Sequence, residues 1–73
     1  MNEKQINELK IEIDNLYDNE LQQYNNATKR NEKKELETRI LEKRKYIEDK
    51  YNCLIELVKF GPEFVNIEVY EKK

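Results

Sequence analysis

From Ile6 onward the apolar residues recur at spacings of three and four: Ile6, Leu9, Ile13, Leu16 with Tyr17, Leu21 and Tyr24. That spacing lines them along one face of a helix, with Ile11 off the stripe. A second stripe follows in Leu36, Ile40, Ile47, Tyr51, Leu54 and Val58, interrupted at Lys43–Arg44. There a long aliphatic stem must cover the gap. The two stripes do not share a phase. Tyr24 and Leu36 are twelve residues apart, which is three turns plus a rotation of about 120°. A single straight helix would show two different faces. A turn near Asn25–Asn26–Ala27–Thr28 removes the conflict, because Asn tolerates left-handed backbone and Thr28 or Asn31 can cap the next helix. Asn2 and Gln5 have the spacing of a capping box at the start of the first helix.

No Gly or Pro precedes Gly61, so nothing breaks either helix before the chain changes character. Gly61–Pro62 is a stop signal. After it Phe64, Val65, Asn66, Ile67, Glu68, Val69 and Tyr70 alternate as a strand does. The alternation predicts Val65, Ile67 and Val69 on one face, with Phe64, Asn66, Glu68 and Tyr70 on the other. Residues 53–60 read either as the last turns of the second helix or as a partner strand. The strand reading is favoured, because a lone strand leaves its backbone groups unpaired. The expected fold is mainly α: an antiparallel helical hairpin, coiled-coil-like, followed by a short C-terminal β-strand or β-hairpin. The 73 residues form one small domain. Helix 1 covers about 3–25, helix 2 about 29–52 and the β element about 53–70. The rival is one long helix paired along its length with another chain.

Composition narrows what such a fold can do. A chain of this length buries only about 60% of its unfolded surface. Ile, Leu, Val and Phe number 19 of the 73 residues, above the level of about 20% below which disorder is the default. Cys53 is alone, His is absent, and neither an internal disulfide nor a structural zinc site can be built. No apolar run approaches the length of about 18 residues that a membrane span needs. Residues 1–10 lack the apolar core of a secretion signal. A single thiol suits a reducing interior, and the expectation is a cytoplasmic protein.

Charge is segregated. Residues 1–28 carry two basic and six acidic side chains, residues 29–50 nine and six, and residues 51–73 three and four. An acidic first helix against a basic second one pairs opposite charges along a seam.

Candidate chemistry is sparse. Nucleophilic catalysis needs a base beside the nucleophile, and with no His, Cys53 has only Lys50 nearby to lower its pKa. Carboxylate pairs such as Glu8 with Glu12 and Asp14 with Asp18 lie off the apolar stripe, where they read as a solvated face. Glu32, Glu35 and Asp49 do not have the spacing of a metal loop. These considerations point to a protein that is not an enzyme and uses no metal, no cofactor, no small-molecule substrate and no membrane. What remains is association with a partner protein or a second copy, with Phe64, Val65, Ile67, Val69, Tyr70 and Tyr46 as candidate contacts. Small size and absent catalytic sets suit a regulator or inhibitor, of the kind a phage or mobile element carries. Two alternatives use charge. The basic segment Lys29, Arg30, Lys33, Lys34, Lys43 and Arg44 offers phosphate contacts. The acids Glu8, Glu12, Asp14 and Asp18 offer a mimic of a nucleic-acid backbone.

Overall fold

The computed structural model describes residues 2–72. The chain is mainly helical and ends in a two-stranded antiparallel sheet. Helix α1 is Glu3–Leu16; it runs through a π-helical turn, Tyr17–Leu21, into α2, Gln22–Asn26. Helix α3 is Arg30–Tyr51, strand β1 is Cys53–Phe60 and strand β2 is Glu63–Glu71.

The start of α1 is the capping box expected from Asn2 and Gln5. The Gln5 N–H donates to Asn2 Oδ1 at 2.8 Å, and the Asn2 N–H donates to Gln5 Oε1 at 3.2 Å. The π-helical turn was not legible as such in the periodicity. Leu16 and Leu21 are five residues apart and both are buried. On a regular α-helix that separation would turn them about 140° apart. The wider π turn accommodates the extra residue and keeps both on the core side. Helix α3 begins differently from expectation. Its N-cap is Lys29, with no side-chain cap, rather than Thr28 or Asn31. Its end is the left-handed Asn52, φ 52°, a conformation Asn accepts more readily than other side chains with a Cβ. That reversal stops the helical stripe at Tyr51. Leu54 therefore leaves the predicted core and stands on the open face of β1, 49% exposed.

The strands pair in register from Cys53 opposite Glu71 to Phe60 opposite Glu63. Gly61 at φ +62°, followed by Pro62 with its ring-fixed negative φ, supplies the sign pair of a type II′ turn. A bulge interrupts the ladder: Val58 faces Asn66 but Lys59 faces Phe64, leaving Val65 as the extra residue. The bulge reverses the predicted alternation on its N-terminal side. Phe64 joins Ile67 on the inner face, while Val65 stays exposed.

The core has two clusters. Leu9, Leu16, Ile47, Tyr51, Cys53 and Ile55 form one; Leu21, Tyr24, Ile40 and Phe64 form the other. Leu57 and Ile67, paired across the sheet, pack against both. No charged or polar residue is buried among the described residues. Polar contacts also fasten the sheet to the helices. Asn25 donates through Nδ2 to the Phe64 carbonyl and accepts the Phe64 N–H on Oδ1, both at 2.8 Å. The Ile55 N–H donates to Glu48 Oε2 at 2.8 Å.

The amide of Asn25 copies the donor and acceptor of a strand backbone. Asn25→Ala should therefore lower stability by about 2 kcal/mol, the penalty for stranding partly buried backbone groups, read from the urea midpoint. Asn25→Asp should be worse at neutral pH, where the carboxylate cannot donate to the Phe64 carbonyl, and should recover as acid protonates it. Ile47→Ala should cost about 2–5 kcal/mol, whereas Leu54→Ala should stay within about 0.5 kcal/mol of the parent. Equal melting of the last two variants would contradict the burial described here.

Candidate interaction surfaces

The inner face of the sheet is spent on the core, so its outer face decides what the protein can meet. Strand parity can be read from Ile55, whose N–H reaches Glu48 and so points away from β2. Leu54, Glu56 and Val58 then direct their backbone groups to Tyr70, Glu68 and Asn66. Their side chains stand on the outer face. Leu54 and Tyr70 sit opposite each other there, 49% and 50% exposed, and Phe60 near the turn is 81% exposed. Between them Glu56 faces Glu68, a like-charge pair that disfavours sheet formation. The Tyr70 hydroxyl donates to Glu68 Oε2, which raises the phenol pKa above its ordinary value.

The same parity turns the N–H and C=O groups of Ile67 and Val69 to the outer edge of β2. The start of that edge is closed by Asn25 on Phe64, with the Tyr17 hydroxyl 3.5 Å from the Val65 carbonyl. On the other side Glu48 closes part of the β1 edge.

Of the candidate partner contacts, Val65, Val69, Tyr70 and Tyr46 are exposed. Phe64 is not on the surface. It is 4% exposed and packed against Tyr24 with the rings tilted at 59°, centroids 4.9 Å apart, because the bulge turns it inward. Ile67 is half-buried beneath the sheet. Tyr46 lies on α3 beside a shallow groove lined by Thr38, Leu41, Glu42, Lys45 and Asp49. Leu54 was expected in the helical stripe and was not among the candidate contacts; β1 carries it and Phe60 on the surface.

The charged candidates divide. Lys43 pairs with Glu20, and Lys50 with Glu12 at 3.5 Å. Arg44 is half-buried, with its Nε shielded from solvent. Lys43 thus serves the contact between the helical segments. Lys29, Arg30 and Lys34 are exposed and Lys33 is half-buried. Among the acids, Glu8, Asp14 and Asp18 are exposed, and half-buried Glu12 is committed to Lys50.

Catalytic arrangements do not emerge among the described residues. Cys53 is fully buried. Burial, reinforced by the Glu48 carboxylate and opposed by Lys72, pushes its thiol pKa up, opposite to the lowering that a nearby lysine brings. No group of three or more His, Cys, Asp or Glu side chains could hold a metal ion among the described residues. No helix there is long and apolar enough to cross a membrane. Comparison with family models, curated proteins and solved structures gives no match to this chain.

Four groups share one pH signature. Cys53 and Tyr70 are raised as described. Tyr51 is raised by the Glu12 carboxylate as an acceptor for its proton, then by burial. Lys50 is pulled down by desolvation, but Glu12, Tyr46 and Tyr51 outweigh that and hold it up. Each folded pKa lies above its ordinary value, so the stability these groups contribute is complete below that value. It is lost as pH climbs through the raised one. The urea midpoint should hold steady through neutral pH and fall in alkali, and Cys53→Ala should blunt the first part of the fall. Ellman's reagent should react slowly with the native thiol and rapidly in guanidinium.

Proposed function

We infer that the chain is a non-enzymatic protein-interaction module. It is read as an antiparallel helical hairpin with coiled-coil-like packing that carries a sheet for docking. The opposite order of the Glu12–Lys50 and Glu20–Lys43 pairs along the two helical segments supports that arrangement. The observation that carries the functional reading is the outer side of the sheet. Leu54 and Tyr70 face each other there, half exposed, with Phe60, Val65 and Val69 also exposed on the same strands. Leu54, Tyr70 and Phe60 leave apolar surface in water on one face of the sheet, and apolar surface gathered in this way marks contact sites. The edge at Ile67 and Val69 adds backbone groups suited to receiving another strand. The partner is a protein or a second copy of the chain. The mode of action is occupation of the partner's surface, as a cytoplasmic regulator or inhibitor would act.

The test uses the parent and the Leu54→Ser/Tyr70→Ser variant as bait in nuclease-treated host lysate, with sedimentation of each purified protein alongside. The expected result is either one near-stoichiometric protein that survives nuclease or a dimer. Each should be lost in the variant, which should keep the parent's circular dichroism because both positions are already exposed. Recovery that disappears with nuclease, or that the variant leaves intact, would overturn the reading.

A further inference from the structure

The fold gathers cations at one corner that the chain order keeps apart. Arg30, Lys33 and Lys34 lie in the first turns of α3, next to Lys29. Lys59 comes from the far end of β1. Lys33 Nζ is 5.1 Å from the centre of the Tyr24 ring and Lys59 Nζ is 5.4 Å from the same ring. Lys59 Nζ is also 4.7 Å from the centre of Phe64. Neither ammonium can be further from the other than those two Tyr24 distances combined, a separation comparable with the Debye length of about 8 Å at physiological salt. Beside them is an open groove of about 480 Å³ lined by Tyr24, Thr28, Arg30, Lys33, Lys34 and Glu37.

This corner differs from the rest of the basic helix in what its charges do. Lys43 and Lys50 are neutralised by carboxylates of the first helix. Among the described residues, no carboxylate stands within ion-pair distance of Arg30, Lys33, Lys34 or Lys59. The Tyr24 and Phe64 rings hold two of the ammonium groups in place, each such contact worth about 0.5–1 kcal/mol at an exposed site, without cancelling their charge. Several like charges held together in this way favour an anion that can meet more than one of them. A carboxylate has two oxygens. A phosphate oxyanion presents more acceptors and more charge, and so gains more from a cluster of cations.

We propose that the corner formed by Thr28, Arg30, Lys33, Lys34 and Lys59 binds a phosphate oxyanion. The site is separate from the outer sheet face and does not depend on what docks there. Two sources share this chemistry: a free phosphate compound and the backbone of a single-stranded nucleic acid. Tyr24 is 8% exposed and walls the site rather than offering a face for base stacking, so recognition is of phosphate and carries no base preference.

The test is an amide NMR titration of the full chain with pyrophosphate, with a single-stranded oligothymidylate and with a poly-glutamate peptide. The expected result is saturable shifts centred on residues 28–34 and on Lys59, with a Kd below about 1 mM for one of the two phosphate ligands. Tighter binding of the oligonucleotide assigns the backbone as the source, and tighter or equal binding of pyrophosphate assigns a free phosphate. The Lys33→Gln/Lys59→Gln variant should bind at least tenfold more weakly. If the oligonucleotide binds, the variant should also lower the log–log salt slope by about 1.4, two single-strand phosphate contacts. Lys10→Gln, a single charge loss on α1, should change neither. If the double variant loses its folded spectrum, Arg30→Gln at an exposed position takes its place with the same expected direction. Equal binding of poly-glutamate, equal weakening by Lys10→Gln, or the absence of saturable shifts would overturn the proposal.

Discussion

Leu57 and Ile67 face each other across the two strands, and each packs against both core clusters. Without that pair the clusters would be separate, each resting on a handful of side chains. A two-stranded sheet is marginal in water on its own, and so are helical stripes as thin as these. Each element covers what the other leaves open. Cys53 and Ile55 complete the cluster around Leu9, Leu16, Ile47 and Tyr51, and Phe64 completes the one around Leu21, Tyr24 and Ile40. The result is elongated, 41 × 18 × 17 Å, and buries ten apolar residues and no polar ones among those described.

Orientation comes from a few polar groups set at the rim of this core. Asn25 offers β2 a side-chain amide in place of a neighbouring strand, and Glu48 does part of that work for β1. Both contacts close stretches of sheet edge that would otherwise be left to solvent or to another chain. The open remainder lies at Ile67 and Val69, next to the exposed apolar row on the outer face. Closed and open edges therefore divide the sheet into a part fastened to the helices and a part left to solvent.

The charges are divided in the same manner. Carboxylates of the first helix meet Lys43 and Lys50. They do not reach the beginning of α3, where Arg30, Lys33 and Lys34 are joined by Lys59 instead. An acidic protein overall, with net charge −2, thus keeps a local concentration of positive charge next to a pair of tilted rings in contact.

Helix placement was legible in the chain itself, because spacings of three and four with no Gly or Pro before Gly61 leave little else for those residues to do. The capping box at Asn2 and the turn at Gly61–Pro62 were equally local, set by side-chain reach and by allowed φ. The identity of the residues on each face of the sheet was not. Alternation put Phe64 with Tyr70 and away from Ile67, and the bulge at Val65 reversed it, since burying both Phe64 and Ile67 over the helices outweighs regular pairing. The same holds for Leu54, in phase with the helix until Asn52 turned the chain, and for the π-helical turn that aligns Leu16 with Leu21. Lys59 could not be placed beside Lys33 from the sequence, because their proximity follows from where the sheet lies on the helices. Local periodicity and turn chemistry determined the elements; packing between elements, which no short window of sequence contains, decided which side chains were left exposed.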